Sequence, residues 1–176
     1  TNVELYSDTL QSGWTLNGGT ILTTVTDLLP TGEIGNCALI TSGSADGIIG
    51  KGALATSLGY NSISFWVKYV DNNFNFSFVG PTYYVRAENY EIDLQTKTII
   101  DGYNDVNTSL FIGETINDWV KITAFVNTTG AGGFMFRIGN VLNNGYSVKV
   151  WGMQIEVGNY PTSLIPTAGS TVTRLA

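Results

Sequence analysis

Hydrophobic and polar residues alternate with a period of two through much of this chain. Nowhere do apolar residues recur at three-to-four spacing for long enough to build an amphipathic helix. Short runs rich in Val, Ile, Thr, Phe and Tyr read as strands at residues 3–7, 20–26, 38–41, 48–50, 62–70, 75–80, 83–87, 91–94, 110–112, 120–127, 133–138 and 147–157. Between them lie Asn17-Gly18-Gly19, Asp46-Gly47, Asp71-Asn72-Asn73, Asp101-Gly102, Gly130-Ala131-Gly132-Gly133 and Asn143-Asn144-Gly145, which reach positive φ at little cost. Many short strands with turns at this spacing predict an all-β chain folded as an antiparallel β-sandwich of the jelly-roll type. The 176 residues suffice for one domain with a substantial core, and no linker or repeat divides 1–176.

Alternation also assigns faces. In 62–70, Ile63, Phe65, Val67 and Tyr69 share one face, while Ser64, Trp66 and Lys68 share the other. Phe74, Phe76 and Phe78 oppose Asn75 and Ser77, and Ile92 and Leu94 oppose Glu91, Asp93 and Gln95. In 83–87 the split puts Tyr83 and Val85 inward, Tyr84 and Arg86 outward. If these strands are neighbours in one sheet, its solvent face collects Trp66, Lys68, Asn75, Ser77, Tyr84, Arg86, Glu91, Asp93 and Gln95. The end of the chain behaves differently. After the last strand comes a Gly158-Asn159 turn and then a stiff tail with Pro161 and Pro166. Proline cannot donate to a central ladder, so the tail is expected to run extended across the outside of a finished sheet.

Composition changes the picture mainly by exclusion. Charged residues are only 12% of the chain, about half the usual share, so neutral Thr, Asn, Ser and Gly must form its surface. That balance suits secreted or virion β-proteins. Net charge is −6, and the eight Lys and Arg are scattered singly, so no basic stripe follows a phosphate backbone and nucleic acid is excluded as a partner. No apolar run approaches the roughly 18 residues of a membrane span, so no membrane insertion is expected. Thr1 opens directly on a strand-like segment, as in an excised domain or the end of a longer polypeptide. The lone Cys37 precludes an internal disulfide and a cysteine-rich zinc site, and reads as a small residue inside a strand.

Histidine is absent, which removes Ser-His-Asp and Cys-His catalysis and imidazole-bound zinc. Most of the acids sit in turns, where their ordinary role is to bond local backbone, and no carboxylate pair stands in a recognisable context. The chain is therefore read as no enzyme. Sugar binding asks for something else: a flat aromatic for the apolar face of a pyranose, and fixed polar groups for its hydroxyls. Trp66 and Tyr84 are the candidate platforms. Asn75, Arg86, Glu91, Asp93 and Gln95 are the candidate polar ring, and Tyr103, in the loop 100–105, is a rim contact or a subunit contact. Against this stand plainer roles: Trp66 packed under a loop or under the proline-bearing tail, and Arg86 ion-paired across strands to Glu91 or Asp93.

The segment 151–174 carries a resemblance. Its W-G-M-Q-I-E-V-G, then P-T-S-L-I-P-T and a terminal T-R, resembles the closing motif of carbohydrate-binding-module-like jelly-roll domains in bacteriophage tail-fibre and other virion proteins. Upstream, Ser64-Phe65-Trp66-Val67-Lys68 and Trp119-Val120-Lys121-Ile122 sit where such domains have a strand ending in Lys and a Trp opening a strand. The resemblance implies non-catalytic recognition of a bacterial surface glycan by a virion protein assembled as a homo-oligomer, a trimer favoured. It assigns Trp14, Trp119 and Trp151 to packing. It implies no cofactor; a structural calcium between the N-terminal and final strands stays open beside it, with Glu4, Asp8 and Glu156 as candidate ligands. The alternative is a structural virion component, a capsid decoration, head-fibre or trimerisation domain whose exposed aromatics are subunit contacts.

Overall fold

A computed structural model describes residues 8–10, 14–41, 48–54, 59–71, 74–79, 88–102, 108–128, 134–138 and 147–164. They are all-β: β1 (Thr15–Asn17), β2 (Ile21–Leu28), β3 (Ile34–Thr41), β4 (Ile48–Leu54), β5 (Gly59–Tyr69), β6 (Phe74–Val79), β7 (Glu88–Asp93), β8 (Thr98–Gly102), β9 (Thr108–Ile116), β10 (Trp119–Thr128), β11 (Phe134–Ile138) and β12 (Ser147–Val157). A first sheet has the order β1-β4-β11-β6-β7-β8 and a second the order β2-β3-β12-β5-β10-β9. Every pairing is antiparallel. The expected antiparallel sandwich is therefore the observed fold.

The main core lies between the sheets. Ile63, Phe65 and Val67 of β5, Ile122 and Ala124 of β10, Val148, Val150 and Ile155 of β12 and Ala38 and Ile40 of β3 all come from the second sheet. Ile92 of the first sheet joins the same cluster, fully buried. The face assignment within β5 therefore holds. The grouping of strands does not, because β5 belongs to the second sheet while β6 and β7 belong to the first. The chain crosses from one layer to the other between Tyr69 and Phe74, so Trp66 and Lys68 share no face with Asn75, Glu91 and Asp93.

Expected strands at 3–7 and 83–87 lie outside the described residues. Two observed strands, β1 and β8, had no expectation. In the second case Asp101-Gly102 looks like punctuation but is paired strand, and the chain turns earlier, at 94–97. There the Asp93 carboxylate accepts the backbone N–H groups of Gln95 at 2.8 Å and Thr96 at 3.0 Å, and Lys97 takes φ +58°. A side chain, and not a glycine, makes this turn.

The β9–β10 hairpin closes in two residues, Asn117 and Asp118, with φ +52° and +66°, between the paired Ile116 and Trp119. Two consecutive positive φ values are the mark of a type I′ turn, which prefers glycine at its second position. Left-handed backbone costs a non-glycine residue about 1–2 kcal/mol, and glycine returns about 0.5–1 kcal/mol in chain entropy. Asp118→Gly should accordingly stabilise the chain by about 0.5–1 kcal/mol, read as a higher urea midpoint at unchanged m-value.

Candidate functional site

The two sheets present very different outer faces. On the second sheet, the outward positions of β12, β5 and β10 form two cross-strand rows, Lys149–Lys68–Trp119 and Trp151–Trp66–Lys121. The three tryptophans, Cys37 and Leu29 form a second buried cluster, with Val25 and Leu164 packed against it. Lys68 Nζ lies 5.9 Å over the Trp119 ring and Lys121 Nζ 5.6 Å over the Trp66 ring, so the aliphatic stems roof the aromatics. Burial pushes the Cys37 thiol up to about 11, which keeps it protonated and inert.

Two segments close this layer. The β2–β3 hairpin lays Leu29 into it, and the Leu28 carbonyl accepts Trp119 Nε1–H at 2.8 Å. Beyond β12 the chain runs as a strap held through Thr162. The Thr162 N–H donates to Glu156 Oε2 at 2.8 Å, its hydroxyl donates to Glu156 Oε1 at 2.7 Å, and its carbonyl accepts Gln154 Nε2–H at 3.2 Å. Leu164 then packs beside Gly152, which has φ +65° and opposes Phe65 together with Met153 in a β-bulge. The tail thus crosses the outside of the sheet as expected as far as residue 164; 165–176 lie outside the described residues.

Trp66 is only 8% exposed beneath these covers. It cannot serve as a stacking platform, and its expected role is corrected to packing. The physical reason is that β5 is central in its sheet and the strap and hairpin cover its outer side at Trp66, so this ring does not meet water. Glu156, expected as a calcium ligand, has both oxygens engaged by Thr162. Glu4 lies outside the described residues, and among those residues no group of three or more Cys, Asp or Glu is placed to hold a metal ion.

The first sheet supplies the remaining candidate surface. Phe74, Ile92 and Ile99 stand in one cross-strand row, and Ile92 is in the main core. One step along the strands is the row Asn75–Glu91–Asp101, and two residues further the row Arg137–Ser77–Asn89. The register thus sets six polar residues in two adjacent cross-strand rows of the first sheet, with a bulge between the Glu91–Asp101 and Ile92–Ile99 pairs. With strands about 4.8 Å apart and about 3.4 Å per residue, these six positions span about 15 Å by 7 Å. They combine guanidinium, amide, hydroxyl and carboxylate groups, the set that recognises vicinal hydroxyls.

Of the expected site residues, the fold pairs Asn75 with Glu91, places Asp93 two residues further along β7, and leaves Gln95 exposed in the turn that follows. The Asp93 carboxylate spends its hydrogen bonds on that turn; the Thr96 N–H, foremost, holds its pKa below the usual 3.8. Tyr84, Arg86 and Tyr103 lie outside the described residues. Asn89, Asp101 and Arg137 were not expected at the site. Arg137 had a signal, because it takes the polar turn of the alternation between Phe136 and Ile138 of β11.

No protein-family model matches this sequence, and no curated protein is significantly similar to it. Solved structures do share its fold. The CBM22-1 xylan-binding domain of Paenibacillus barcinonensis Xyn10C is 13% identical with a TM-score of 0.55, over 88% of this chain and 90% of that one. The CBM22-1–CBM22-2 tandem domain of the same protein matches at 14% identity and TM-score 0.57, over 92% of this chain but 46% of that one. An exo-beta-agarase structure matches at 11% identity and TM-score 0.55, over 91% of this chain and 26% of that one.

Proposed function

We propose that this chain is a non-catalytic carbohydrate-binding module whose glycan site is the polar face of the first sheet. The observation that carries the reading is the contrast between the two sheets. The second is roofed around Trp66, Trp119 and Trp151 by its own strap, hairpin and lysines, while the register of the first lines up Asn75, Ser77, Asn89, Glu91, Asp101 and Arg137 in two cross-strand rows. The sandwich shared with a xylan-binding domain supports the same reading. Tyr84 and Arg86, in the connection from β6 to β7, and Tyr103, just after β8, complete the proposed site as aromatic and cationic contacts. The closing motif at 151–174 supports a place in a bacteriophage tail fibre or another virion protein, one such sandwich per chain, directed at a bacterial surface glycan. Individual sugar sites of this kind are weak, so a trimer would supply avidity.

Probing a glycan array and intact bacteria with the assembled protein tests the reading. Asn75→Ala with Arg137→Ala should weaken binding about tenfold or more, at about 1–1.5 kcal/mol per hydrogen-bonding group lost. Undiminished binding by that variant would move the site off this face. The structural-component reading has one observation in its favour: Ile21, Leu28 and Ile34 are exposed along the edge strand β2 and its hairpin, which suits a contact between copies. It is the better reading if the assembled protein binds no glycan and buries that edge.

A further inference from the structure

We infer that the outer face of the second sheet carries a separate, shallow binding strip for neutral saccharide, on β10 between the strap and the edge strand β9. The inference rests on the carbohydrate-binding reading above but places a second contact on the opposite side of the sandwich. The strap covers the half of this face formed by β12 and β5, where Ser62, Ser64, Gln154 and Glu156 are buried. Among the described residues nothing roofs the part of β10 from Thr123 to Asn127 or the facing end of β9. There the outward positions are Thr123, Phe125 and Asn127, with Phe111 directly opposite Thr123 on β9 and Tyr60 directly opposite Asn127 on β5.

Phe111 is 55% exposed and Tyr60 54%, high values in a chain that buries three of its tryptophans. Phe111 and Phe125 meet edge to face, with ring centroids 5.6 Å apart and planes at 73°. That contact fixes both rings in place, with Phe111 exposed and Phe125 partly covered. Tyr60 stands diagonally across from Phe125, within reach of an aromatic side chain. Its carbonyl holds the Gly158 N–H at 2.8 Å, which brings the start of the strap, with Tyr160 exposed, to the end of the strip. From Thr123 to Asn127 the floor runs about 14 Å, long enough for more than one sugar ring.

The chemistry selects the occupant. None of these six residues is charged, and Lys121, the next outward position on β10, is committed to the Trp66 ring. An anionic polymer therefore finds no counter-charge here, whereas a neutral glycan finds ring faces for its C–H groups and hydroxyl and amide groups beside them. A second copy of the chain is the poorer fit. Aromatic side chains present about 150–250 Å² each when whole, so these four partly covered rings offer less than the roughly 800 Å² per partner that a stable dimer buries.

The test is amide chemical-shift mapping of the full chain, isotope-labelled, titrated to about 10 mM with xylohexaose and with a neutral agarose-derived hexasaccharide. Stacking on a sugar's apolar face tolerates many sugars, so millimolar binding of at least one probe is expected. Shifts should appear at 59–60, 109–111 and 123–127, and Phe111→Ala with Tyr60→Ala, both at exposed positions, should weaken that binding about tenfold while leaving any shifts at 75–77, 89–91 and 137 unchanged. Shifts confined to the first sheet would overturn the strip and keep the first-sheet site. Shifts confined to the strip would keep it and remove the first-sheet site. No shift with either probe would overturn both. Strip shifts that follow protein dilution without sugar, or that survive the double variant, would also overturn the strip.

Discussion

Trp119→Ala should destabilise the chain by about 3–5 kcal/mol, the range for emptying a fully buried aromatic site. Trp119 is completely buried, yet it lies outside the main core, in the layer between the second sheet and its covers. Its removal would open a cavity under Leu29, release the hydrogen bond to the Leu28 carbonyl and strip Lys68 of the ring beneath its ammonium. Trp119→Phe separates these effects. It keeps an aromatic ring in the cluster but orphans that carbonyl, for an expected cost of about 1–2 kcal/mol. Urea unfolding of the two variants reads both figures. A loss below about 1 kcal/mol for the alanine variant would mean that the outer cluster is a loose surface patch and not a packed layer. Because Trp119 is remote from the first sheet, glycan binding there by the folded fraction should be unchanged.

The importance of that layer was only half legible in the sequence. Alternation in β5 correctly separates Ile63, Phe65 and Val67 from Ser64, Trp66 and Lys68. A period of two says which residues share a face, but it does not say whether the other face meets water. Covering is a tertiary event. Here it is supplied by Leu29 from a hairpin and Leu164 from the strap, one of them about a hundred residues from Trp66 along the chain. One local signal did exist. Trp66 with Lys68, Trp119 with Lys121 and Lys149 with Trp151 repeat the same two-residue spacing on three strands, as expected of lysine stems folded over buried rings.

Sheet membership was illegible for a related reason. The turn signal at 71–73 reads equally well as a hairpin within one sheet or as a crossing between two, and the structure makes the crossing. The pairing of β6 with β7 is unaffected by that error, so Asn75, Glu91 and Asp93 stay on neighbouring strands. Trp66 did not survive it. The β8 and β9–β10 turns show the other gap: Lys97, Asn117 and Asp118 take positive φ without any glycine, so a search for glycine punctuation passes over them.

Asp27→Asn carries the second large expectation, a loss of about 1.5–3 kcal/mol near neutral pH, the range for hydrogen bonds to charged groups. Asp27 Oδ1 accepts Lys68 Nζ at 3.0 Å and the Leu28 N–H at 2.7 Å, and Oδ2 accepts Lys149 Nζ at 2.6 Å. One carboxylate therefore ties β2 to Lys68 over the Trp119 ring and to Lys149 of β12, and sets the hairpin that inserts Leu29. Burial alone would raise its pKa; the bonds from Lys149, Lys68 and Leu28 outweigh burial and hold it below the ordinary 3.8. A carboxylate with a lower pKa folded than unfolded contributes its full stability at pH values above the unfolded one. That contribution is lost as pH falls through the folded value. The gap in unfolding free energy between the native chain and Asp27→Asn should thus be complete near pH 6 and shrink progressively below about pH 4. Asp93, whose pKa is also lowered, through the Thr96 N–H, titrates alike in both proteins and cancels from the difference. A gap that stays constant to about pH 2 would show that Asp27 acts through packing and not charge.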